Sequence, residues 1–170
     1  MKYIIGIGNY SMFDDSIGIK VIEYIEENNL IANLIAKEHQ DSIQAIDLSG
    51  NLLNLFNYLN SSTEKIVIID TAKINIDKQM PDKQQEQRVP GEFIVFTPEE
   101  VESTKNLANI STHEGDLLKV LALARETDYF IPEIVIIGVI PKEIKNDFGL
   151  SLELNNKLPV YAKKALEEIL

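Results

Sequence analysis

Short apolar runs alternate along the chain with stretches of helical spacing. Residues 2–8 (KYIIGIG) form a compact apolar run closed by glycine, the pattern of a strand buried on both faces of a parallel sheet. Over 14–27 the spacing turns helical, with Ile17, Val21, Tyr24 and Ile25 on one face and Glu23, Glu26 and Glu27 elsewhere. Residues 42–47 (SIQAID) alternate as a second strand, and 51–59 read as an apolar helix. The clearest buried strand is 65–70 (KIVIID). A polar stretch at 71–90, with two prolines and many Gln, Lys and Asp residues, reads as a long exposed loop.

Residues 92–96 (EFIVF) predict a further strand at a sheet edge. Leu117, Leu118, Leu121, Leu123 and Ala124 give 114–128 a helical pattern, and 133–140 (EIVIIGVI) form the last central strand. From Ser151 the tail is helical, with Pro159 either kinking it or opening a second short helix. Strands alternating with helices imply parallel units joined by right-handed crossovers. The expected fold is α/β: an open, twisted, mostly parallel sheet of about five strands with helices on both faces. A single domain over residues 1–170 is expected from the length. Such sheets take ligands beyond the C-terminal ends of their strands.

Composition narrows the chemistry. The chain has no cysteine, which removes disulfides, zinc–thiolate sites and a cysteine nucleophile. A net charge of −11 argues against nucleic acid or anionic lipid as partner, since both need basic patches. No apolar run approaches the ~20 residues that span a bilayer. The N-terminus runs straight into a strand without a small-residue cleavage site, so the cytoplasm is the expected compartment.

Four segments put polar side chains at strand ends. Gly6-Ile-Gly8-Asn9 leads to Asp14-Asp15. A dinucleotide fingerprint needs a third glycine that is missing, and two carboxylates would repel a pyrophosphate at the helix N-terminus. The plain alternative is that Asp14 caps the helix while Asp15 complements its dipole. Asp70 directly ends a strand, as does Asp47, places where aspartate also simply starts a turn. Ser111-Thr-His113-Glu114 precedes a helix, and Ser111 with Glu114 would form a capping box that leaves His113 incidental.

Together, Asp15, Asp70 and His113 each follow a strand or open a helix at the same sheet edge. Two carboxylates and one imidazole suit a borderline divalent ion and leave coordination positions open. A helix N-terminus also disfavours protonated histidine, keeping the His113 imidazole available. His39, in the polar KEHQD stretch, reads as exposed and idle. No G-x-S-x-G elbow occurs, and H-E-x-x-H fails because His113-Glu114 is followed by Gly115-Asp116-Leu117.

At these residues the chain resembles the hydrogenase maturation endopeptidases. The resemblance runs through GIGN…DDSIG (6–18), AIDLSGNLLNLF (45–56), VIID (67–70), VPGEF (89–93), STHEGDLLKVLALA (111–124) and VIIGVIPKEI…FGLSLEL (135–154). It implies an endopeptidase that removes the C-terminal extension of a nickel-loaded nickel–iron hydrogenase large-subunit precursor. It implies Asp15, Asp70 and His113 as nickel-interacting residues, the nickel being carried by the substrate, and Asp47 as a further acidic position in the activity. Other divalent ions are expected to be able to occupy the site. The family's glycine-glycine-threonine turn is replaced here by Leu48-Ser49-Gly50, and the 71–90 stretch is longer and more polar than usual. A monomer is expected, because a transient processing enzyme must expose its cleft. The alternatives are a cofactor-binding α/β module without proteolysis, a nickel-handling binding protein, and a metal-independent peptidase of the kind acting on spore proteins.

Overall fold

The computed structural model describes residues 1–38, 42–49, 51–74, 89–103, 110–111 and 113–170. Its strands are β1 (Lys2–Ile7), β2 (Ile43–Ser49), β3 (Lys65–Thr71), β4 (Lys73–Ile74), β5 (Phe93–Phe96), β6 (Ile110–Ser111) and β7 (Glu133–Val139). Five of them form one sheet in the order β2-β1-β3-β7-β5, with β5 alone antiparallel, at the edge where the sequence pattern put it. The remaining two, β4 and β6, pair antiparallel as a separate ladder inside regions read as loop and helix approach.

Alternation along the central strands divides the core in two. Ile4, Val67, Ile69, Val135 and Ile137 face helices α1 (Ile17–Glu27) and α6 (Leu158–Ile169), meeting Val21, Ile25, Tyr161 and Ala165. Ile5, Ile66, Ile68 and Ile136 face the other way, onto the 3-10 helix Leu52–Tyr58 and the helix α4 (His113–Glu126), meeting Leu55, Leu117 and Leu121. Near-continuous isoleucine and valine runs are what a sheet covered on both faces requires.

Several local outcomes differ from the sequence reading. Residues 51–59 were expected to form an apolar helix; they form a 3-10 helix, with Leu52 and Leu55 buried at the three-residue spacing that aligns side chains in that geometry. Pro159 takes the second of its two options: it sits in the first turn of α6, after a short α5 (Leu152–Asn155). Two helices were not anticipated, α2 (Leu30–Glu38) and α3 (Pro98–Ser103). The latter opens with a capping box, in which the Glu100 amide donates to Thr97 Oγ1 (3.4 Å) and the Thr97 amide to Glu100 Oε2 (2.7 Å). Among the described residues no helix is long and apolar enough to cross a membrane.

The strand order decides where a ligand goes. From β1 the chain moves to β2 on one side, then returns across β1 to β3 on the other. The crevice of such a sheet opens beyond the C-terminal ends of the strands at this reversal, between β1 and β3.

Candidate active site

At that reversal the chain leaves β1 through Gly6-Ile7-Gly8 and re-enters as a 3-10 turn, Phe13–Ser16, leading into α1. The glycines are there for packing. A Cβ on Gly6 would collide with the Gly18 carbonyl, one on Gly8 with the Asp15 carbonyl, and one on Gly18 with the carbonyl oxygens of Ile69 and Ile7. Helix α1 therefore rests directly on the backbones of β1 and β3, which explains the Gly-x-Gly spacing without a nucleotide.

Asp14 corrects the sequence reading. It does not cap a helix: neither Met12 nor Ser16, the residues at the two N-cap positions, makes a side-chain cap, and the Asp14 carboxylate turns elsewhere. Its Oδ1 accepts from the Ser151 amide at 2.7 Å, and its Oδ2 from the amides of Lys142 and Glu143 at 2.9 and 3.0 Å. Phe13, just before it, has φ 53°, a left-handed conformation that costs a bulky side chain about 1–3 kcal/mol and persists only where surroundings enforce it.

Asp15 and Asp70 are both buried, and one residue touches both. The Thr71 hydroxyl donates to Asp15 Oδ1 at 3.0 Å, and the Thr71 amide donates to Asp70 Oδ1 at 2.7 Å. Two carboxyl groups more than fifty positions apart in the chain are thus held by one threonine at the C-terminal end of β3. Thr71 was read as the start of the polar loop; it is instead the last residue of β3, and a hydroxyl beside a strand-end aspartate was the signal for it.

His113 opens α4, and its side chain lies outside the described residues, as do His39 and the expected Ser111–Glu114 capping box. The backbone path is informative. The chain enters α4 through β6, whose Ser111 pairs with Lys73, three residues beyond Asp70. The start of α4 is therefore anchored beside the continuation of β3. Among the described residues no group of three or more carboxylates and imidazoles is gathered closely enough to hold a metal ion.

Asp47 belongs to a neighbouring cluster. It is exposed and lies level with Gly6 in the β1–β2 register. By alternation it shares the face of Ile43 and Ala45, opposite to the face that Asp70 shares with Ile66 and Ile68. Its Oδ1 accepts from the amide and hydroxyl of Ser49 (2.6 and 2.9 Å), and Tyr10 lies 3.3 Å from its Oδ2. The Tyr10 hydroxyl donates more closely to Glu23 Oε1, at 2.7 Å. Burial, then the carboxylates of Glu23 and Asp47, push the Tyr10 phenol well above its ordinary range and keep it a donor. Burial opposes the Glu23 charge, but the Lys20 ammonium and the Tyr10 hydroxyl outweigh it and lower the Glu23 carboxyl.

The family model described as hydrogenase maturation protease (HycI) matches residues 19–168. The chain belongs to the hydrogenase maturation protease family. Within it, the chain is similar to the hydrogenase 2 maturation protease of Escherichia coli (strain K12), 24% identical over 168 residues that cover 98% of this chain and 87% of the relative. Its fold is that of the [NiFe] hydrogenase maturation protease HybD from Thermococcus kodakarensis, with a TM-score of 0.71 at 24% identity over 99% of both chains. The hydrogenase maturating endopeptidase HybD from E. coli superposes with a TM-score of 0.67 at 22% identity, over 99% of this chain and 89% of that one. The expected mostly parallel five-stranded sheet and the expected protease class both hold.

Proposed function

We propose that this protease removes the C-terminal extension of a nickel–iron hydrogenase large-subunit precursor, and that Asp15, Asp70 and His113 grasp the nickel the precursor brings with it. The observation that carries this reading is the Thr71 bridge between Asp15 and Asp70, at the strand ends where such sheets receive ligands. Thr71 contributes hydrogen bonds and no charge, so a cation arriving with the client meets two carboxyl groups already fixed in place. The anchoring of α4 beside β3 supports His113 as the third member. Oxygen and imidazole donors suit a borderline divalent ion that already has thiolate ligands on the client.

Grasping the client's nickel would dock the scissile peptide against the crevice, converting a bimolecular encounter into a positioned one. The nickel would then polarise the scissile carbonyl or a water. Asp47, with Tyr10 and Ser49 orienting its carboxylate, would orient a reacting group or accept a proton. Selectivity follows from assembly state: a nickel-free precursor offers the three residues no metal to grasp. A monomer in the cytoplasm fits this role, since the crevice must admit a folded client. The glycine packing beneath α1 weighs against the nucleotide-binding alternative.

The test is to incubate the chain with nickel-loaded and nickel-free large-subunit precursor and to weigh the products. The reading expects a shortened large subunit and a free C-terminal peptide from the loaded precursor only, and neither with Asp15→Ala, Asp70→Ala or His113→Ala. Equal cleavage of both precursors supports the metal-independent peptidase instead. Nickel transfer without cleavage supports the binding protein.

A further inference from the structure

We infer that Asp14 is a positioning residue: its carboxylate clamps the strained turn after β1 to the loop after β7, and thereby fixes Asp15. The inference rests on the reading of Asp15 as a ligand to the client's nickel. Asp14 has 0% exposure, and the three N–H groups it accepts from come from residues 128 to 137 positions further along the chain. A buried carboxylate that collects three backbone donors is a strong and directional tie, and the buried Ser151 amide would be stranded away from water without it.

The same contact is reinforced around the turn. The Phe13 amide donates to the Asp147 carbonyl at 2.9 Å, and the Asp147 amide returns to the Ser11 carbonyl at 3.1 Å. The Ser16 hydroxyl lies 2.7 Å from the Phe13 carbonyl and 3.2 Å from that of Gly149. The Lys145 ammonium sits 4.3 Å from the centre of the Phe13 ring. All these ties converge on the turn in which Phe13 holds its left-handed φ, a conformation it would leave if released. Asp15 is the next residue after Asp14 in that turn, and its amide completes it by donating to the Met12 carbonyl at 3.2 Å. Opening the clamp therefore moves the backbone that aims Asp15 at Thr71.

The experiment measures the ratio of affinities for nickel-loaded over nickel-free precursor, a quantity that does not change with the fraction of enzyme that is folded. Asp14→Asn exchanges an acceptor oxygen for a donor facing backbone N–H groups. It is expected to lower the ratio about tenfold, the scale on which residues supporting a metal ligand act. Glycine holds φ 53° at no steric cost, so Phe13→Gly added to Asp14→Asn is expected to restore part of the ratio. Should Asp14→Asn fail to fold, Ser16→Ala carries the test, with an expected fall of about threefold, smaller because it removes one neutral hydroxyl. An unchanged ratio in the folded variant, or a lowered one that Phe13→Gly does not improve, would overturn the inference. A wild type with no nickel preference overturns the reading of Asp15 itself and this inference with it; a preference retained in Asp14→Asn overturns the inference alone.

Discussion

The Thr71 hydroxyl donates to the Asp15 carboxylate at 3.0 Å, tying the turn after β1 to the last residue of β3. Both groups are buried, so the bond is more than a surface contact. Thr71→Val keeps the shape of the side chain and removes the donor. It is expected to cost about 1–2 kcal/mol of stability through the loss of a buried hydrogen bond. Precursor cleavage should slow by about a hundredfold, the usual penalty for a misplaced group in a site. Thr71→Ser should retain both. Urea denaturation and a cleavage time course check the two halves, and a Thr71→Val protein of wild-type activity would remove the bridge from the account.

Gly18 and Gly149 separate two kinds of glycine requirement. A Cβ on Gly18 would press on two backbone carbonyls, of Ile7 and Ile69, which cannot swing aside as side chains do. Gly18→Ala is therefore expected to destabilise by at least about 3 kcal/mol, as severe overpacking. Gly149 has open space around it but φ 96°, so Gly149→Ala is expected to cost only about 1–2 kcal/mol. Denaturant midpoints of the two variants measured side by side give the ranking directly.

Three of the six tyrosines, Tyr10, Tyr58 and Tyr161, should titrate late, Tyr10 and Tyr161 the furthest. Burial, joined at Tyr161 by the Asp14 carboxylate and at Tyr10 by Glu23 and Asp47, raises both phenols well above the ordinary value. Because the folded values are raised, their contribution to stability is fully present below the unfolded value and is lost as pH climbs towards the folded ones. Stability should thus fall with pH above about 10. Tyr161 also donates to the Gly91 carbonyl at 2.8 Å, so Tyr161→Phe should lower neutral-pH stability while making the alkaline fall shallower. Tyrosinate absorbance and thermal melts across the alkaline range test this, and ordinary titration of all six phenols would refute it.

Strand positions were legible because a sheet covered on both faces must be built from uninterrupted apolar runs such as KIVIID and EIVIIGVI. The edge strand 93–96 was legible because its burial, and so its sequence, is weaker. The capping box of α3 was also readable, since Thr97-Pro98-Glu99-Glu100 spells it out, and it was missed. What the sequence hides is whatever depends on distant backbone. Asp14 followed by Asp15 looks like a helix cap until Lys142, Glu143 and Ser151 arrive from the far end of the chain. Gly18 looks like a small residue inside a helix until β3 is laid beneath it. Asp15 and Asp70 could be singled out as strand-end carboxylates, but their meeting at Thr71 is a consequence of the 2-1-3 strand order, which no local pattern encodes.

The most direct measurement is nickel K-edge X-ray absorption of the loaded large-subunit precursor, alone and bound to the protease. The account predicts that binding adds nitrogen or oxygen neighbours to the nickel's sulfur shell, and that Asp15→Ala and Asp70→Ala each abolish part of that change. A nickel spectrum that stays the same when the protease binds would contradict it.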